Sequence, residues 1–167
     1  MRTPATREIL EHPAALLTAA NLARLGEGLL RDTGFEPTFA LDPALRAVLD
    51  TALIVVERDV RAAGITGALR LIIPDRNNSG YAQVEFAGGY HGNGIRPAEG
   101  RDPQGALASV ADATQETITE LTWTVWPVCP VHDQGLHAEL EHEVAVWRCT
   151  AGGTHTVAPV GGLSAEH

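Results

Sequence analysis

Between residues 42 and 64, apolar side chains recur at Leu45, Val48, Leu49, Ala52, Val56 and Val60, the spacing of a helix with one inward face. Asp42 followed by Pro43 opens it as an N-cap and first-position pair, and Gly64 stops it. Its middle, Leu53-Ile54-Val55-Val56, is apolar nearly all round, which predicts a buried central helix. An earlier helical stretch spans residues 4–33, started at Pro4, restarted at Pro13 and striped by Leu16, Leu17, Ala20, Leu25 and Leu29, with Gly34 as its stop. The period then changes from 3.6 to 2. Leu69, Leu71 and Ile73 alternate with Arg70 and Ile72, and Ala82, Val84 and Phe86 alternate with Tyr81, Gln83 and Glu85, so each run predicts a strand with a dry and a wet face. Residues 74–80 between them are turn-rich, which makes an antiparallel hairpin the simplest pairing. The longest irregular stretch runs from Gly88 to Gly105. Asp102 and Pro103 repeat the helix-start signal, ahead of Leu107, Val110, Ala111, Thr114, Ile118, Leu121 and Val125 at helical spacing, and this helix ends before Pro127. Last come two strand-like arms, Leu136 to Leu140 and Val144 to Trp147, and a third at Thr156 to Val160.

The order of elements predicts an α+β fold: a helical N-terminal half, an antiparallel β-hairpin, a further helix, then a small β appendage. Residues 1–125 form the expected main domain, 126–163 the appendage and 164–167 a frayed tail. A length of 167 residues and a 44% hydrophobic content suit one ordinary domain with such an addition. The longest apolar run, Ala52 to Val56, is far below the ~20 residues that span a bilayer, so no membrane partner is expected. Met1 to Leu10 lacks an apolar segment preceded by positive charge, which reads as cytoplasmic. A net charge of −9 argues against nucleic acid, whose phosphates reward clustered Arg or Lys. From Pro127 onward, Asp133, Glu139, Glu141, Glu143 and Glu166 face the single base Arg148. Nucleic-acid binding would require Arg58, Arg61, Arg70 and Arg76 to gather on one face.

The chain has two cysteines, each followed closely by a histidine: Cys129-Pro-Val-His132 and Cys149-Thr-Ala-Gly-Gly-Thr-His155. Structural zinc sites collect thiolate and imidazole ligands in pairs from two tight turns, and the hairpin between these two pairs would bring them together. Two thiolates cancel the two charges of the metal. Four protein ligands leave no position for water, so a closed structural site is expected rather than a catalytic one, contributing about 10 kcal/mol or more to folding. Buried free cysteines, a cross-hairpin disulfide and ordinary surface histidines are the competing readings, and His137 or His142 can replace one of the proposed histidines. With two ligand-bearing turns flanking a hairpin and a third strand behind it, the C-terminal module resembles a zinc ribbon. It departs from the usual pattern in that His132 and His155 stand for the second cysteine of each turn, and five residues separate the second pair.

Other constellations are less defined. His137-Ala138-Glu139 has the histidine and glutamate of a zinc deaminase without the paired downstream cysteines that complete such a site. Gly88 to Gly94 lacks the lysine and Ser/Thr of a phosphate-binding loop. Tyr90, His91 and Arg96 on the long loop are candidate contacts for a small anion or a peptide. Trp123 and Trp126 lie at the joint between the last helix and the first ligand turn; they point about 300° apart, so one is expected to dock the ribbon and the other to stay exposed as a partner-binding anchor. The leading functional reading is a noncatalytic cytoplasmic binding or adaptor protein with a structural zinc, its partner a protein or a small molecule. The alternative is a small enzyme or small-molecule-binding protein that uses the 88–105 loop and keeps the zinc module as a staple. The sequence sets no oligomeric state.

Overall fold

The computed structural model describes residues 36–75 and 79–165. The helical stretch expected over 4–33, the turn residues Arg76 to Asn78 and the last two positions lie outside them. The chain divides into two compact units, Met1–Pro37 and Thr38–His167. Everything below concerns the second.

Helix α1 runs Pro43–Ala62 and helix α2 Pro103–Thr122. Both begin with the Asp-Pro pair, but only Asp102 caps with its side chain, accepting from the Gly105 amide at 2.7 Å. The two helices pack on each other and share one core, in which Leu49, Val56, Val110, Ala111 and Ile118 are fully or almost fully buried. One helix face of α1 departs from expectation. Leu53 and Val56 are buried, whereas Ile54 is 61% exposed, because the neighbours of α1 cover only part of its circumference. The run of four apolar residues overstated its burial.

Strands β1 (Leu69–Ile72) and β2 (Gln83–Phe86) form the expected antiparallel pair, with Leu71 opposite Val84. A third strand, β3 (Gly89–Tyr90), joins β2 and lies inside the stretch expected to be irregular. That stretch also folds back along β2 through the pairing of Ile95 with Ala82, then forms a 3-10 helix at Pro97–Arg101. Gly100 belongs there for a steric reason: a Cβ would lie 2.5 Å from the Leu45 carbonyl oxygen of α1. Gln83, placed on the wet face by alternation, is buried and donates to the Gly92 carbonyl at 3.3 Å. The returning loop covers the face that alternation alone leaves to water. Helix α2 stops at Thr122, and Leu121 and Val125, expected on its apolar stripe, are 44% and 57% exposed. Its C-terminal end outruns the sheet that covers its middle.

A second antiparallel sheet, in the order β4 (His137–Glu141), β5 (Val144–Cys149), β6 (His155–Pro159), completes the α+β architecture. It packs against α2 through β4 and β5. Among the described residues, no helix is long and apolar enough to cross a membrane.

Candidate metal centre

The first ligand turn is a tight reversal between Pro127 and Leu136. Cys129 donates its amide to Gln134 (2.7 Å) and accepts from Asp133 (2.9 Å), Leu136 donates to Pro127 (2.8 Å), and Asp133 takes a positive φ of 54°. This reversal points Cys129 and His132 inward together. The second pair is held differently: Cys149 at the end of β5 and His155 at the start of β6 are direct partners in the antiparallel register.

The four side chains converge. Their ligand atoms all lie within 4.8 Å of one another, forming a Cys2His2 group that can hold a metal ion. His132 Nδ1 is 3.7 Å from Cys129 Sγ and 3.5 Å from Cys149 Sγ, and His155 Nε2 is 3.6 Å from Cys129 Sγ. The imidazole rings meet edge to face, 5.1 Å between centroids. Both cysteines are free thiols and buried, and both histidines are half-buried. The second nitrogen of His155 faces the Gly153 carbonyl at 3.3 Å. Donation from Nδ1–H fixes the tautomer and leaves the Nε2 lone pair facing the cluster. Gly152 serves the same geometry, since a Cβ there would sit 2.7 Å from His132 Nε2 and its φ of +63° suits glycine.

The two thiols are electrostatically unlike. Burial raises the Cys129 pKa, but the amides of Val131 and His132, the His132 ring and the Cys149 thiol outweigh it, lowering it from 9.0 to about 6. Burial, reinforced by the adjacent Cys129, raises the Cys149 thiol. The Gly153 carbonyl, with Cys129, raises the His155 imidazole. Cys129 is thus the thiol that gives up its proton more readily, whereas an incoming metal would have protons to displace from Cys149 and from His155. Neither His137 nor His142 belongs to the group. Both are exposed, His137 on β4 and His142 in the β4–β5 turn at a φ of 49°.

The two tryptophans at the joint part company. Trp126 is buried and meets Trp147 edge to face at 5.6 Å, whereas Trp123 is 90% exposed. The long-loop residues are not gathered. Tyr90 sits on β3, the exposed His91 lies 3.4 Å from Glu116, and Arg96 is 3.5 Å from Glu99. Three cavities of about 540, 520 and 800 Å³ open on this unit, and Tyr90, His91 and Arg96 line none of them.

The fold also uses a residue that sequence reading passed over. Asp59, fully buried on α1, accepts from the Trp147 indole at 2.7 Å, the Gly161 amide at 2.6 Å and the Leu163 amide at 2.8 Å. It ties the sheet that carries the Cys/His cluster, and the segment after it, to the first helix. A signal was present: Leu45, Leu49, Ala52, Val56 and Asp59 share one helical stripe, so a carboxylate occupies a core position. Gln104 and Gln115 of α2 add ties from the other side, accepting from Ala145 at 2.9 Å and donating to Leu136, respectively. Neither family models, nor curated proteins, nor solved structures give a match to the chain.

Proposed function

We propose that Cys129, His132, Cys149 and His155 hold a structural zinc ion, and that the chain is a noncatalytic binding protein whose C-terminal module is a zinc-ribbon variant. The observation that carries this reading is the closure of the cluster. With zinc–sulfur bonds of about 2.3 Å and zinc–nitrogen bonds of about 2.0–2.1 Å, neighbouring sulfur and nitrogen corners of a tetrahedron are about 3.6 Å apart. Three of the four sulfur–nitrogen separations are 3.5–3.7 Å, and all four ligand atoms lie within 4.8 Å of one another. Protein atoms supply all four corners, so no coordination position remains for the water that a hydrolytic zinc requires. Two ligand turns, a hairpin and a third strand support the ribbon comparison. The thiolates need a reducing compartment to stay available, in keeping with a cytoplasmic location.

The binding half of the proposal draws on Trp123, a rigid aromatic left in solvent beside the first ligand turn. Purified chain should carry about one zinc per molecule in an environment of two sulfurs and two nitrogens. Elemental analysis and X-ray absorption check this. Metal-free protein from zinc-replete cells, or an absorption spectrum without sulfur, would refute it.

A further inference from the structure

The cavity of about 520 Å³ lies where three distant stretches of chain meet: the end of α1 from Asp59 to Ile65, the link from Thr124 to Pro130, and the stretch from Val157 to Ala165. Ile65, Val125, Val128, Val157 and Leu163 line it, and none of the five is fully covered by protein, so each has apolar surface to offer an occupant. Asp59 is the only ionisable residue in the wall, and no arginine or histidine among the described residues lines the space. The Asp59 carboxylate is fully buried and already accepts three N–H groups. The volume falls within the ~300–1,000 Å³ of small-molecule sites, which are likewise mostly apolar with a few polar groups placed among them.

Trp126 adds an independent observation. It belongs to the same wall and is only 4% exposed, yet its indole N–H has no acceptor among the described residues. Trp147, which it meets edge to face, donates its own indole N–H to Asp59 at 2.7 Å. The fold satisfies one of two adjacent buried donors and leaves the other. A buried N–H without a partner is uncommon and works against folding. A ligand that brings an acceptor to Trp126 removes that cost when it binds.

We infer that this cavity binds a small neutral molecule with an apolar body and one carbonyl-type oxygen, the oxygen accepting from the Trp126 indole. Charge selects the class. An anion would sit near the Asp59 carboxylate with no cation in the wall to balance it. A cation would find the Asp59 oxygens already turned to Trp147, Gly161 and Leu163. The inference needs neither the metal nor the exposed Trp123, since Cys129, His132, Cys149, His155 and Trp123 are all outside the lining.

The test is a fluorescence titration of the full chain with three dimethylaminonaphthalene probes that differ in one substituent: an ethyl ketone, a propyl group and a carboxylate. The ketone should bind at about one site per chain with micromolar Kd, its emission shifting to the blue, and the other two at least about tenfold more weakly. Trp126→Phe keeps a ring and removes the N–H, so it should bind the ketone and propyl probes equally. Should that variant fail to fold, the ketone-to-propyl ratio in the unaltered chain still decides whether an acceptor is preferred. Ala63→Phe and Val157→Phe each place a ring in the cavity and should abolish ketone binding, whereas Val131→Ser, at an exposed residue outside the wall, should leave it unchanged. A ketone preference that persists in Trp126→Phe, or equal binding of the propyl probe to the unaltered chain, would overturn the hydrogen bond. Ketone binding that survives both ring-bearing substitutions, equal binding of the carboxylate, or no binding of the ketone would overturn the site.

Discussion

Cys129 shows how much one side chain is asked to do. Its sulfur lies within 3.7 Å of both histidine ligand atoms, and its backbone closes the first turn through Gln134 and Asp133. Cys129→Ser keeps the shape of the turn and removes the sulfur. On the proposed zinc site, we expect zinc content to fall close to zero and the melting temperature to drop by well over ten degrees, because binding a structural metal and folding draw on one free energy. His137→Ala, in an exposed strand position, should change neither. Elemental analysis and a thermal melt distinguish the pair, and equal losses would mean that His137 is a ligand. The convergence of Cys129, His132, Cys149 and His155 was legible in the sequence because metal chemistry admits few residue types at few spacings, and both cysteines of the chain sit in such pairs. The tautomer-setting contact from His155 to Gly153 was not, since a carbonyl leaves no mark in the residue alphabet.

At the scale of elements, boundaries were read well where a covalent constraint sets them and less well where neighbours do. Pro43 and Pro103 start their helices as expected. The end of α2 came earlier than its apolar pattern implied, at Trp123 rather than after Val125, because the stripe gives no warning that the helix outruns its cover. Gln83 and Ile54 were misread for the same reason: which face is dry depends on what packs there, and that information lies in the loop that returns at Ile95 and in the partial cover around α1. The left-handed cap at Trp123 leads to a prediction. Trp123→Gly removes the backbone strain and a solvent-exposed ring, so it should stabilise the unit by about 1 kcal/mol. Urea denaturation measures this, and a clear destabilisation would mean that the ring supports the fold.

At the scale of the whole Thr38–His167 unit, the sheet that carries the Cys/His cluster is joined to the helices through Trp147, Gln104, Gln115 and Asp59. Removing zinc with a strong chelator should therefore lower one cooperative transition rather than melt the sheet separately, with tryptophan fluorescence and far-ultraviolet circular dichroism moving together. Two separated transitions would contradict this. Asp59→Asn places an amide N–H among three donors that need acceptors, and should cost on the order of 3 kcal/mol by urea denaturation. The same carboxylate sets an order of events during synthesis. Its partners lie 88, 102 and 104 residues further along the chain. When α1 first leaves the ribosome it carries an acid that only water can satisfy, and burying that face early would strand a charge. The unit is thereby discouraged from closing until Leu163 has emerged, so early collapse around α1 is penalised and final docking of the C-terminal sheet becomes the step that makes the core dry.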